Sequence, residues 1–391
     1  LSRAARTGEI VVSRPVVVEK STVVCKFECT GRIGAAFRTD ALVATYESVD
    51  LSGVPESLLV IPVLGNLAPV TWALGARLRV PRVDRTFFES LQEVKAEFQR
   101  MYPRIGWEGS VVPDALDTPA PYPAQRPALL FSGGIDSLSS YFLHRDEKPV
   151  LVTAVSRAAF RDLAPDHKVH LKLCREFAKR HGARLAPVLS NLNRMLVAKE
   201  LPLGAAWWQK VQHGLAFLGM CAPVCPPEGV HTVYLASTHT AASTFPWGSH
   251  PSVDDRVAWA ATRAKHDGYH LSRQEKIAAL VPHLRAEGSA LRIQICRRGP
   301  QFGNCSRCGK CCRTMIGLAA AGVDPNLHGF QLDRAALEHI RGQLENRKFL
   351  LSANNRFMWK DIQERLPAHP SIDIDGLAEF FEFLSDLRFD S

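Results

Sequence analysis

The sequence predicts an α/β protein, a doubly wound parallel sheet carrying an N-terminal α+β domain and a C-terminal helical extension. Three observations lead there. Short apolar runs alternate with helical patterns from Pro127 onward, the first of these runs breaks at two glycines and reopens as a helix, and four cysteines gather near the end of the alternation. The 391 residues divide into an N-terminal α+β domain (1–106) for recognising a substrate or partner, a linker (107–126), the α/β domain (127–325) and a helical region (326–391).

Each element has its own reason. IVVSRPVVV, TVVCKFEC and ALVATYES are rich in Val, Thr and Phe with turn residues between them, the pattern of a small antiparallel sheet. In TFFESLQEVKAEFQRMY, Phe87, Leu91, Val94, Phe98 and Met101 recur at helical spacing, so a helix packs on that sheet. The Pro-, Asp- and Ala-rich VVPDALDTPAPYPAQRP favours extended chain and reads as a linker. Then come strand PALLF, a helix from about Asp136, strand PVLVTAV, helix DHKVHLKLCREFAKRHG, strand ARLAPVL, helix AAWWQKVQHGLAFLGM, strand TVYLAST and strand ALRIQIC. From Gln331 to Phe389 apolar residues recur at helical intervals in AALEHIRGQLENRKFLL and IDGLAEFFEFLSDLRF.

No apolar run approaches the length of a membrane span, and LSRAARTGEIVV lacks the apolar stretch of a secretory signal, so a cytoplasmic protein without a membrane partner is expected. The formal charge of +9 is spread along the chain rather than gathered in a block. Anionic small molecules attract that surplus as well as nucleic acid does, and the scatter disfavours nucleic acid without excluding it.

The turn SGGIDS lies where a doubly wound sheet binds ligands, after the first strand and before a helix. Gly133 and Gly134 remove the Cβ atoms that would obstruct an anion, Ser132 and Ser137 offer hydroxyls, and the helix start adds partial positive charge. The bland alternative is a strand–turn–helix in which Asp136 is only an N-terminal cap. No lysine follows as in GxxxxGK[ST], which disfavours simple γ-phosphoryl transfer.

Cys296, Cys305, Cys308 and Cys311 form C-x8-C-x2-C-x2-C, followed at once by Cys312. In a cytosolic chain such clustering points to a metal, and four thiolates leave no open position, which makes the site structural. Zn²⁺ is expected, with an iron–sulfur cluster as the alternative, and Cys311 is preferred over Cys312 on spacing. Arg307, Lys310 and Arg313 suit the negative charge of such a knuckle.

SGGIDS resembles the PP-loop, SGGxDS, of the ATP pyrophosphatases, whose fold is of the HUP, adenine-nucleotide α-hydrolase-like type. Together with the cysteine pattern it resembles the cyano-deazaguanine synthases of queuosine-precursor biosynthesis, over roughly residues 127–318. The resemblance implies that ATP with Mg²⁺ is cleaved between its α- and β-phosphates. Ser132, Gly133, Gly134 and Ser137 then bind pyrophosphate, and Asp136 helps place Mg²⁺ or the loop. The backbone of 150–155 holds adenine, and Ser272, Arg273, Glu275 and Lys276 of LSRQEKIAAL lie near the nucleotide. PWGSHPSVDDR stands where that family has Tyr-Pro-Asp-Cys-Arg, and the terminal regions do not belong to the standalone synthase. Two relatives fit the longer chain: synthase-like proteins of bacterial antiphage operons, which join a deazaguanine acid to a protein amine, and ATP-dependent muramoyl-dipeptide epimerases.

The implied activity is adenylation of a small-molecule or peptide carboxylate, a deazaguanine-type acid being favoured, for capture by ammonia or by the amine of a protein partner. Epimerisation through a carboxyl adenylate and tRNA base modification are the alternatives. For proton transfer His250 ranks first among His239, His250, Asp254, Asp255, His266, Asp267 and His270, and the catalytic set expected is His250, Asp255, Lys276 and Asp136. Trp207 and Trp208 read as core more readily than as a stacking platform.

Overall fold

The computed structural model describes residues 8–156, 165–299 and 303–389. The first residues of the N-terminus and 300–302, inside the cysteine segment, lie outside the described residues.

In chain order the strands are β1 (Glu9–Val12), β2 (Val16–Val18), β3 (Thr22–Cys29), β4 (Ala41–Tyr46), β5 (Arg77–Asp84), β6 (Ser110–Asp117), β7 (Arg126–Leu130), β8 (Val150–Ser156), β9 (Leu185–Ser190), β10 (Val230–Ala236), β11 (Ala258–Trp259) and β12 (Thr262–Asp267). The main helices are α1 (Ile61–Leu74), α2 (Arg85–Met101), α3 (Ile135–His144), α4 (Pro165–Arg180), α5 (His213–Cys221), α6 (Arg273–Glu287), α7 (Gly309–Ala320), α8 (Arg334–Glu345), α9 (Ala353–Gln363) and α10 (Leu377–Asp386).

The parallel part runs β12-β10-β7-β8-β9. From β7 the chain winds outward through β8 to β9, then returns to place β10 on the other side of β7, so the winding reverses between β7 and β10. Ligands of open α/β sheets sit at the carboxyl ends of the strands at such a point. Side chains alternate across the sheet: Ala128, Val150 and Val152 enter one apolar core, whereas Leu129 and Leu151 enter the other. Both faces are covered, as doubly wound strands require.

The N-terminal unit differs from the expectation of a separate domain. β4 pairs antiparallel with β9, Ala44 opposite Ser190, so the N-terminal strands extend the same sheet, which is mixed and mostly parallel around the switch point. Helix α1 lies inside the first core, with Ile61 through Trp72 all buried. A Cβ at Gly65 would stand 2.8 Å from the Leu215 carbonyl oxygen, so this glycine lets α1 cross α5 at backbone contact. Helix α2 carries the far end of the sheet back to its beginning: Asp84 caps α2 through the Phe87 N–H (2.8 Å) and also accepts from Ala260 N–H, and Ser90 accepts from Ala258 N–H.

Two further expectations are corrected. Ser110–Asp117, taken as linker, is strand β6, parallel to β5 from Arg77–Ser110 to Asp84–Asp117; its ladder bonds outweigh the turn-rich composition. The segment ALRIQIC is not a strand. Leu291 and Ile293 bury themselves among the C-terminal helices, and the backbone N–H groups of Ile293 and Gln294 bond to His328 and Gly133 carbonyls instead of a neighbouring strand.

The C-terminal helices cap the second face. Leu337, Ile340, Trp359, Ile362, Phe381 and Leu384 share a core with Ile277, Leu280 and Met315 of α6 and α7. Asp361 of α9 accepts from the Ser272 hydroxyl (3.1 Å) and the Gln274 N–H (3.2 Å), which ties α9 to the N-terminus of α6.

Among the described residues no helix is long and apolar enough to cross a membrane.

Candidate functional site

The glycine turn leaves β7 at the switch point. Gly133 adopts φ +68°, a left-handed conformation that costs other residues energy, and Gly134 is the N-cap of α3. The Ser137 hydroxyl donates to the Gly134 carbonyl (3.1 Å) and accepts from the Ser132 N–H (3.2 Å), while the two hydroxyls lie 3.3 Å apart. The expected loop residues Ser132, Gly133, Gly134, Asp136 and Ser137 are therefore together at the mouth of α3.

Two adjoining cavities meet at this loop. One, of about 300 Å³, opens over β7, β8 and β10, with Leu130, Val152, Ala154, Phe217 and Leu235 as apolar walls and Ser132, Asp136, Ser137, His170, His213 and Arg297 as polar ones. The other, of about 160 Å³, runs from Ser132 and Gly134 to Arg273, Lys310 and Arg313. Asp136 borders both.

Asp136 does not stand free. Its two oxygens accept from Nη1 of Arg273 at 3.1 and 3.2 Å, and Lys276 Nζ lies 3.6 Å away. Burial works against charge on Asp136, but Arg273 and Lys276 outweigh it and hold the carboxyl below its ordinary pKa. Burial lowers the Lys276 pKa, which Asp136 opposes, and its ammonium donates to the Ser237 carbonyl. Ser272 and Glu275 form a capping box at the start of α6 and do not face the loop. Arg313 donates to Asn355 Oδ1 and, with Lys310, has no carboxylate partner among the described residues.

The histidines divide sharply. His250 caps the turn Pro251–Asp254, its Nδ1 accepting from the Ser252 N–H at 3.2 Å, and its Nε2 meets the Tyr269 hydroxyl at 3.2 Å. Asp255 fixes the end of β12 by accepting from the His266 N–H (2.6 Å) and from Lys265 (3.1 Å). Asp254 holds Ser249 and His266, and Asp267 holds Ser140 and His144. Neither His250 nor Asp255 is among the residues lining the two cavities. His213 is, and the sequence had not singled it out. Its Nδ1 bonds to the Trp208 carbonyl (3.1 Å), which makes Nε2 the basic nitrogen, and burial lowers its pKa. A stretch of π-helix, Trp208–Gln212, precedes it, a distortion of the kind that often marks functional sites. His239 packs edge-on between Phe245 and Trp247, its pKa lowered by burial to about 4. Trp207 is core, stacked on Trp107.

The cysteine knuckle begins on the other side of Lys310 and Arg313. The sulfurs of Cys296, Cys305, Cys308 and Cys311 all lie within 4.8 Å of one another, with Cys311 to Cys296 at 3.5 Å. A tetrahedral zinc with bonds of about 2.3 Å sets its sulfurs about 3.8 Å apart, so the four can hold one zinc ion. A multi-iron cluster would need them farther apart. Cys312 turns away toward the Ser306 carbonyl, which leaves Cys311 as the fourth sulfur of the cluster. Backbone N–H groups of Cys305 and Cys308 donate to the sulfurs of Cys296 and Cys305. Asn304 buckles the knuckle, accepting from the N–H groups of Ile295 and Cys296 and donating to the Ile293 and Gly329 carbonyls. The knuckle is joined to the glycine loop directly, because Gln294, two residues before Cys296, donates its N–H to the Gly133 carbonyl at 2.8 Å.

What the sequence missed is spread out. Arg297, His170 and His213 carry no motif, and Arg313 and Lys310 were legible only as balancing charge for the cysteines, although their i,i+3 spacing at the start of a helix could have placed them on one face. Comparison with protein-family models, with curated proteins and with solved structures finds no match to this chain.

Proposed function

We propose that this chain is an ATP-dependent, AMP-forming enzyme that activates a carboxylate, with a deazaguanine-type acid favoured. The observation that carries the reading is the convergence of SGGIDS, in a left-handed glycine turn at the switch point, with Arg273, Lys310 and Arg313 around a cavity that continues into an apolar slot over β8.

In this reading adenine lies against Val152 and Ala154, and the β- and γ-phosphates rest on the loop backbone and the hydroxyls of Ser132 and Ser137. Arg273, Lys310 and Arg313 take up the charge of the leaving pyrophosphate. Such preorganised donors act where negative charge develops. A carboxylate oxygen of the substrate attacks the α-phosphorus, the bond from that phosphorus to the bridging oxygen of the β-phosphate breaks, and pyrophosphate leaves with its Mg²⁺. The acyl-adenylate then has a good leaving group: an amine nitrogen attacks the carbonyl carbon, AMP departs with the bonding electrons, and the amine proton passes to a base. His213 suits that base, since it lines the cavity and stays neutral near pH 7. Asp136 aligns Arg273 and Lys276 rather than offering a free carboxylate to Mg²⁺. The knuckle, with zinc bound, holds Gln294 against the loop.

The test is release of pyrophosphate and AMP from MgATP, with carboxy-deazaguanine, a muramoyl dipeptide, bulk tRNA or no acceptor. Acid-dependent release that falls at least a hundredfold in Ser137→Ala supports the reading. Release that depends on tRNA, or none with any acceptor while MgATP binds unchanged in Ser137→Ala, defeats it.

A further inference from the structure

Behind the cavity over β8 stands a carboxylate that the adenylation step leaves unused. Asp254 is fully buried, its ion-pair partner is the imidazole of His266, and no lysine or arginine joins it among the described residues. One oxygen, Oδ2, accepts from the Ser249 hydroxyl at 2.6 Å and from His266 Nδ1 at 2.8 Å. The other, Oδ1, has no hydrogen-bond partner and lies against Gly214, where a Cβ would stand 2.8 Å from it and 2.2 Å from the Gly248 carbonyl oxygen. Glycine at 214 thus lets the turn that carries Ser249 and Asp254 press on the start of α5, one residue beyond His213. Ser249 and His213 both line the cavity, so the buried carboxylate stands behind two of its polar walls.

A buried carboxylate favours any group beside it that can become positive. Burial lowers the His213 pKa, and Asp254 is foremost among the groups that oppose it. The other ionisable groups facing His213 are His266, His239 and, across the cavity, Asp136, His170 and Arg297; Asp136 is already paired with Arg273. His250, beside Asp254 as well, has its ring taken by Ser252 and Tyr269.

Resting on the adenylation reading, we infer that Asp254 is the positioning residue of the second step, and that Ser249 and His213 are the two acceptors that receive the N–H groups of the attacking amine. The Ser249 proton is committed to Asp254, so its oxygen can only accept from the cavity. His213, with its Nδ1 proton on the Trp208 carbonyl, likewise presents only the lone pair of Nε2. Ammonia or a primary amine fills both acceptors and keeps its own lone pair for the acyl carbon; a thiol or hydroxyl, with one hydrogen, fills only one. As the C–N bond forms, one N–H bond breaks, its electron pair stays on the nitrogen, and the proton moves to Nε2, where the charge of Asp254 stabilises the imidazolium.

The experiment follows the two steps separately in the full chain. ATP–pyrophosphate exchange with carboxy-deazaguanine reads the first, and hydroxamate formation with hydroxylamine as the probe amine reads the second, each as a function of pH. The His213 ring is titrated by NMR on histidine-labelled protein, its signal assigned with His213→Gln. Asp254→Asn keeps the shape and removes the charge, so the His213 titration should move to lower pH, and hydroxamate formation should fall roughly tenfold and by more than exchange does. Ser249→Ala should raise the KM for hydroxylamine about fivefold, the loss of one neutral hydrogen bond, with the His213 titration in place; it keeps the test open if Asp254→Asn fails to fold. An unmoved His213 titration or unchanged hydroxamate formation in Asp254→Asn overturns the inference, as does an unchanged KM in Ser249→Ala. Absence of exchange defeats the adenylation reading instead, and the titration still decides whether Asp254 governs His213.

Discussion

The glycine loop and the cysteine knuckle are built alike and filled oppositely. Each is a tight turn that delivers the N-terminus of a helix, α3 after Gly134 and α7 after Cys308. At the loop the cavities are lined by the Ser132 and Ser137 hydroxyls and by cationic side chains, Arg273, Lys310 and Arg313, with the Asp136 carboxylate paired to Arg273, a set suited to an anion that comes and goes. At the knuckle the groups turned inward are four sulfurs, all acceptors, suited to one cation that stays. The lesson is that helix polarity does not choose the ligand, since both sites have the same end of a helix; the side chains at the turn do. The two sites also share a wall, because Gln294 touches Gly133 while Lys310 and Arg313 lie just inside α7.

That shared wall gives the largest expected effect. With zinc on the four cysteines, removing it with a strong chelator, or replacing Cys308 with serine, should release 291–294 and 303–313 from their packing, since a tetrathiolate site contributes its binding energy to folding. Thermal unfolding should then show loss of the α7–α9 region, and nucleotide affinity should fall in step because Gln294 no longer supports the loop. Nucleotide binding that survives full metal loss would separate the two sites and break the comparison.

Arg273 probes the donor side alone. Arg273→Met leaves Asp136 with Lys276 as its partner at 3.6 Å, so the fold should persist. Loss of one preorganised donor to developing charge costs about 10²–10³ in rate. Pyrophosphate release measured against ATP concentration should show a fall in kcat larger than any rise in KM; a pure KM change would mean that Arg273 binds the ground state only.

These two sites also mark how far the sequence could be read. SGGIDS and the cysteine spacing are local, six and sixteen residues long, so the chain itself carries their geometry. The histidine chosen from PWGSHP was a different matter: His250 sits in a tight turn that looks like a substrate loop, yet its ring is used up by Ser252 and Tyr269. His213 reaches the cavity only because α1 packs beneath α5, a contact between residues about 150 apart in the chain that no local pattern encodes. The same holds for the sheet. Alternating strands and helices were legible after Pro127, but the antiparallel junction of β4 with β9 joins segments whose patterns are each complete without it. ALRIQIC failed for the converse reason, being apolar and β-prone yet buried against helices, where periodicity does not distinguish the two.

The loop's surroundings set a pH dependence of their own. His170, buried under the loop with its Nε2 2.9 Å from the Ser132 carbonyl, has its pKa pushed by burial, and then by Arg297, from 6.5 down to about 4. The folded state thus favours the neutral ring. Its contribution is complete above pH 6.5, where neither state is protonated, and is lost as pH falls from there to about 4, because the unfolded chain takes up the proton first. The loss is at most about 3 kcal/mol for His170. Denaturant unfolding at pH 7, 5.5 and 4.5 should show it, and His170→Gln should flatten the profile; an unchanged profile would mean that His170 is not the group titrating.

The smallest effect on stability is expected at Gly133, where it sharpens the contrast most. At φ +68° an alanine costs about 1–2 kcal/mol in backbone strain. Nothing adds to that sterically, since the new Cβ would meet only Gln294 Cβ at 3.9 Å, an ordinary contact. Gly133→Ala should therefore fold and melt within a few degrees of the parent. If the loop holds an anion as proposed, a methyl group there obstructs its approach, and pyrophosphate release should drop by far more than stability. A variant that melts normally, keeps its four thiols on the metal and loses nucleotide binding would assign the left-handed turn to the ligand. If it kept full activity, the glycine would be serving only the chain's change of direction, and the loop and the knuckle would be alike in being structural.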